Sequence, residues 1–133
     1  MSITVTRVNP AHTVHEARIR AHVVPLDMSV AEGGLDEGPD PHDIYDAALG
    51  ACKALTLVWY AARKNIPLAD VAVTVDRDAQ RERQGEYVLT TTLLLGGPLS
   101  DTQRQELLAV AEKCPIHKLM TGVETVIHTK LAQ

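Results

Sequence analysis

Phenylalanine is absent from the 133 residues, and all aromatics together make up only 3%. A core built from Ala, Val and Leu in place of large rings allows helices to approach closely, since interaxial distance follows the side chains at the contact. Cysteine is scarce too, with two in the whole chain, too few for the dense disulfide framework that holds small secreted domains together. No apolar run reaches the roughly 18 residues of a membrane span. The start, "MSITVTRVNPAHTVHE", alternates polar and β-branched residues and has no apolar segment of the signal-peptide kind. There is no basic block, and 13 Lys and Arg stand against 17 Asp and Glu for a net charge of −4, which gives no electrostatic footprint for nucleic acid or an anionic membrane. A cytoplasmic protein is expected. In that reducing setting two thiols point to catalysis, metal binding or plain burial before a standing disulfide.

What is present fits one globular domain spanning residues 1–133, with 45% apolar and 23% charged residues and no repeat or linker. "SITVTRV" and "HEARIRAHV" alternate with period two and predict two half-exposed strands, the second with Ala17, Ile19, Ala21 and Val23 on one face. "LDMSV" predicts a short third strand, and "AEGGLDEGPDP" a loop. Asp40 and Pro41 then supply an N-cap and an N1 proline for a helix from Pro41 to Lys64, apolar on almost every face and broken chiefly by Lys53 and Thr56. "LADVAVTVDRD" and "GEYVLTTTLLLGG" predict an antiparallel pair joined through "AQRERQ". Ser100 caps a second long helix that runs to Cys114, with Leu107, Leu108, Val110 and Ala111 on its apolar stripe. "PIHKLMTG" predicts a short helix with Pro115 at N1, and "VETVIHTKL" a last strand.

The two cysteines sit in different settings. Cys114 falls at the N-cap of the short helix, where unsatisfied N–H groups and the positive helix end favour a thiolate; equally, it can pack there as a small hydrophobe. Cys52 lies inside the apolar helix, where burial alone makes a thiol inert. A reactive Cys52 therefore requires a buried positive partner. Arg18 and Arg20, on the polar face of the second strand, are candidates, although a solvated strand face accounts for both. A zinc site at Cys114 and His117 has little support, because C-x-x-H occurs once with no second ligand pair.

The stretches "GPDPHDIYDAALGACKALTLVWYAARKNIPL" and "LSDTQRQELLAVAEKCPIHKLM" resemble the OsmC/Ohr family of thiol-dependent peroxidases, in the branch that reads G-P-x-P, A-A-L-G-A-C and K-C-P-V-H. The resemblance runs from about Gly38 to Thr129. It implies an α+β fold forming an intertwined homodimer, with antiparallel sheets wrapped around two central helices and an active site at each subunit interface. It further implies Cys52 as the peroxidatic nucleophile and Cys114 as the resolving thiol, passing through a Cys52 sulfenic acid to a Cys52–Cys114 disulfide that an external thiol or dithiol reduces. No metal or organic cofactor is implied.

Many peroxidatic members of that family hold an arginine over the reactive sulfur with a glutamate near the start of the central helix. This sequence has His42 and Asp43 in that neighbourhood, and either is a candidate for the task, with Arg7, Arg18 or Arg20 as the arginine. His117 matches a histidine common in this branch. The aliphatic residues around Cys52 and Met120 favour organic hydroperoxides over hydrogen peroxide. The alternative is a dimeric small-molecule-binding or redox-sensing protein without appreciable turnover, for which the missing glutamate speaks.

Overall fold

The computed structural model describes residues 1–133, which form two compact units, Met1–Tyr45 and Asp46–Gln133. In the first unit, strands β1 (Ile3–Arg7), β2 (His15–Ile19) and β3 (His22–Leu26) make an antiparallel sheet in that order. The single strand expected over "HEARIRAHV" is two strands. Arg20 takes a left-handed conformation, φ 57°, and the chain reverses between Ile19 and His22, which face each other. Alternation survives on both sides of such a turn, so the pattern alone does not reveal it. The consequence is that Val24, not Val23, lies opposite the buried Ala17, while Val23 faces the other way and is exposed.

The third strand ends at Leu26, so "LDMSV" is not a strand. Asp27 is the reason. Its carboxylate accepts from the Thr13 hydroxyl at 2.5 Å and from the backbone N–H groups of Met28 (2.7 Å), Leu35 (3.1 Å) and Glu37 (3.2 Å). Four donors on one buried carboxylate turn the chain out of the sheet and fold residues 28–37 over it, with a short 3-10 turn at Val30–Glu32. They hold the Asp27 carboxyl at about 2, below its ordinary 3.8, the Thr13 hydroxyl contributing most and burial opposing. The loop closes so tightly that a Cβ on Gly34 would stand 2.2 Å from the Met28 carbonyl oxygen.

Helix α1 (Pro41–Lys64) starts as expected. Asp40 and Asp43 cap it reciprocally, the Asp43 N–H donating to Asp40 Oδ1 at 2.9 Å and the Asp40 N–H to Asp43 Oδ2 at 3.1 Å.

In the second unit, β4 (Asp70–Asp78) and β5 (Val88–Gly96) pair antiparallel from Asp70–Gly96 to Asp78–Val88. Their inward residues alternate as the period-two pattern predicts. The remainder of α1 buries a stripe of Asp46, Leu49, Gly50, Lys53, Leu57 and Ala61, spaced three and four apart as one helix face requires. A Cβ on Gly50 would come 2.9 Å from Val75 Cγ2, so glycine permits α1 to lie close on β4. Helix α2 (Asp101–Ala111) begins with a full capping box between Ser100 and Gln103 and adds Leu107 and Ala111 to a core with Leu57, Ala61 and Ile66. Tyr60 donates to Glu106 at 2.5 Å, tying α1 to α2, and that bond raises the Tyr60 pKa. Helix α2 stops at Ala111, short of Cys114, and α3 (Pro115–Gly122) follows.

Two features of this unit concern apolar residues left uncovered. The expected last strand over "VETVIHTKL" is not formed: Val123–Gln133 belong to no element, and Val126, Ile127 and Leu131 are exposed. A strand needs a neighbouring edge to satisfy its N–H and C=O groups, and nothing in the single chain pairs with this segment. The other is that the single chain does not itself cover all of α1, since Leu55, Val58 and Trp59 are each more than half exposed. No helix is long and apolar enough to cross a membrane.

Candidate functional site

The second unit brings Cys52 and Cys114 into one neighbourhood from 62 residues apart in sequence. Both are free thiols, Cys52 partly buried and Cys114 fully buried. Cys114 is the N-cap of α3, with extended backbone at φ −65° and ψ 151°, and Pro115 occupies N1 as expected. The thiol served by the helix start is nevertheless the other one. Cys114 makes no side-chain cap bond, whereas the backbone N–H of Ile116, at N2, points at Cys52 Sγ at 3.5 Å. Pro115 has no N–H to offer. Ile116 thus carries the first N–H of α3, and this otherwise unpaired donor is directed at the α1 sulfur. The positive end of α3 therefore faces Cys52.

Next to Cys52 in sequence, the Lys53 side chain is only 3% exposed. Its Nζ donates to the Ala111 carbonyl at 2.7 Å and meets His117 Nδ1 at 3.0 Å. A buried cation is thus present in the same unit, but its contacts are the Ala111 carbonyl and His117, not the Cys52 sulfur. The sequence signal was a cation inside an otherwise apolar helix, since a lysine is rarely buried without partners. His117 joins the same neighbourhood, partly buried at the start of α3.

The other candidates lie in the first unit, each with its own contacts. Arg7 Nε donates to the His12 carbonyl at 2.7 Å, Arg18 meets Glu16 at 3.4 Å, and Arg20 forms the β2–β3 turn. Asp43 caps α1, and His42 stands beside it in the first turn. A cavity of about 430 Å³ in this unit is lined by Val5, Arg7, His15 and Leu26, among others.

A second polar cluster was not foreseen. Buried Asp46 accepts from Arg77 Nε at 2.5 Å and from the Tyr87 hydroxyl at 2.7 Å, which fastens α1 to the β4–β5 hairpin. Burial and this bond push the Tyr87 pKa up to about 12. Asp46 sits seven residues before Lys53 on the same stripe, so here too a charge on an apolar face marked the site. No three His, Cys, Asp or Glu side chains converge to hold a metal ion.

Among solved structures, an OsmC-like protein from Mycoplasma pneumoniae is similar with a TM-score of 0.73 at 22% identity, covering 92% of this chain and 87% of that one. The organic hydroperoxide resistance protein OsmC from Legionella pneumophila gives 0.62 at 23% identity over 92% and 90%. The organic hydroperoxide resistance protein OhrB of Bacillus subtilis gives 0.59 at 23% identity over 92% of each chain. At such identities the likeness is one of fold, an α+β arrangement of antiparallel sheets and three helices. No curated protein matches. The sequence itself fits the family model described as OsmC-like protein over residues 34–129, a span holding both cysteines and most of the chain, and the protein belongs to that family.

Proposed function

We propose that this chain is a cysteine-based peroxidase that reduces hydroperoxides, organic ones in particular, at the expense of an external thiol or dithiol. The observation that carries the reading is the Ile116 N–H, two residues beyond Cys114, standing 3.5 Å from Cys52 Sγ. It places the two sulfur-bearing segments side by side and sets a helix start against the sulfur of α1. The names of the Legionella and Bacillus proteins support the same chemistry.

In the first step the Cys52 thiolate attacks the outer peroxide oxygen. The O–O bond breaks, the sulfur keeps a hydroxyl as sulfenic acid, and the departing alkoxide takes a proton to leave as alcohol. The Ile116 N–H is placed to meet negative charge on that sulfur. In the second step the Cys114 sulfur attacks Cys52; an S–S bond forms, the S–O bond breaks, and the hydroxyl leaves with a proton as water. Two electrons from the external thiols then restore both cysteines.

The working form in this proposal is a homodimer with its sites at the subunit interface. The exposed apolar face of α1 at Leu55, Val58 and Trp59, and the unpaired apolar segment after Val123, support it.

The test is turnover. With millimolar dithiol present, purified protein is expected to consume many equivalents of cumene hydroperoxide per chain, and faster than hydrogen peroxide. Consumption that stops at one equivalent per chain defeats the enzyme reading in favour of a redox-sensing one.

A further inference from the structure

The lysine of the site has a geometry that the two chemical steps leave unused. An ammonium is costly to bury unless its protons find acceptors, and the two acceptors of Lys53, the Ala111 carbonyl and His117 Nδ1, carry no negative charge. It is therefore not an ion pair. What distinguishes the two contacts is where they fall: Ala111 is the last residue of α2, His117 lies in the first turn of α3, and Cys114 stands midway, three residues from each. One side chain of α1 thus grips the chain on both sides of the Cys114 sulfur. With Lys53 as an ammonium, which can only donate, His117 Nδ1 is the acceptor and the imidazole hydrogen belongs on Nε2.

We propose that Lys53 and His117 are positioning residues for disulfide formation: the Lys53 ammonium, fixed to the Ala111 carbonyl and His117 Nδ1, holds the Cys114 segment against α1 so that the Cys114 sulfur stays within reach of Cys52. The inference rests on the two-cysteine reading above and names what governs its second half. The clamp exchanges no atoms or electrons; it removes the freedom of the 112–116 connection, and misplacement on the scale of an ångström at a reacting pair costs up to about a hundredfold in rate.

The experiment compares wild type with Lys53→Met, which keeps length and loses every donor, His117→Leu, which loses the acceptor, and His117→Asn, whose amide oxygen can stand near the Nδ1 position. Two quantities are read. The equilibrium between dithiol and Cys52–Cys114 disulfide in glutathione buffers gives the effective concentration of one thiol at the other and needs no peroxide. The lifetime of the Cys52 sulfenic acid after one equivalent of cumene hydroperoxide, read by dimedone trapping, gives the resolving rate. Lys53→Met and His117→Leu are expected to lower the effective concentration about tenfold or more and to lengthen the sulfenic acid lifetime in parallel, with its formation changed less than about threefold. His117→Asn is expected to recover most of the loss.

Variants indistinguishable from wild type in glutathione overturn the proposal, as does a wild type that forms no Cys52–Cys114 disulfide in any glutathione buffer. His117→Asn as impaired as His117→Leu overturns the acceptor role of Nδ1. If the disulfide forms and responds to the variants but peroxide is not turned over, the peroxidase reading fails and the clamp stands. Should Lys53→Met not fold, the two His117 variants decide the matter.

Discussion

Leu107→Ala tests whether α2 is held where it delivers Cys114. Leu107 is completely buried in α2, within the core shared with Leu57 and Ala61 of α1. The substitution deletes three carbon atoms, worth about 2.4 kcal/mol at about 0.8 kcal/mol per buried methylene. Partial collapse of the resulting cavity brings the expected loss to about 3–4 kcal/mol, a large fraction of a typical domain's 5–15 kcal/mol. The next residue is the control. Leu108 is 43% exposed on the same helix, and Leu108→Ala should cost less than about 1 kcal/mol. Urea unfolding followed by circular dichroism, at matched protein concentration, gives both values, since an associating chain has concentration-dependent stability. A Leu107→Ala loss below about 1 kcal/mol, or a Leu108→Ala loss equal to it, refutes the packing of α2 on α1 from which the position of Cys114 is argued.

Tyr87→Phe leaves Asp46 without its hydroxyl donor and should lower stability by about 1–2 kcal/mol in the same assay. Asp27 binds its proton less tightly folded than unfolded, so its contribution is complete above about 3.8 and is lost as pH falls toward about 2; the protection of the Leu35 and Glu37 amides, as hydrogen exchange relative to the intrinsic rate at each pH, should fall in that window, and a protection that ignores it contradicts the loop anchor. Asp43→Ala removes half of the α1 capping box and should cost about 1 kcal/mol in thermal unfolding.

Elements whose signals are local were legible in the sequence. The α1 limits follow from Asp40 and Pro41 and from the Asn-Ile-Pro stop, the α2 start from Ser100, and the Cys114–Pro115 junction from N-cap and N1 preferences. Features resting on a two-residue turn or on a distant partner were not. The apolar–polar alternation of the sequence runs unbroken through the β2–β3 reversal at Arg20, with no Gly or Asn to mark it, although the reversal moves the inward position from Val23 to Val24. Asp27 ends β3 through donors up to fourteen residues away, which no local pattern contains. The segment after Val123 has the alternation of a strand without an edge to join, so its pattern describes a capacity that the single chain does not use.

At the site, the sequence pointed to both sulfurs, but the helix start at Cys114 suggested that this thiol receives the N–H groups, whereas Ile116 donates to Cys52. Lys53 is buried although on a helical wheel it points a quarter turn from Cys52. Its four-carbon stem takes the charge to Ala111 and His117.

The central claim, that Cys52 attacks and Cys114 resolves, is tested most directly by peptide mass mapping after one equivalent of cumene hydroperoxide, run in parallel on wild type, Cys52→Ser and Cys114→Ser. The account predicts a wild-type mass lower by two hydrogens, with one disulfide joining the peptides of Cys52 and Cys114; a dimedone adduct on Cys52 in Cys114→Ser; and no rapid oxidation in Cys52→Ser. A Cys52→Ser protein that still reacts in a single turnover at Cys114, beside a Cys114→Ser protein that does not react, contradicts it and reverses the two roles.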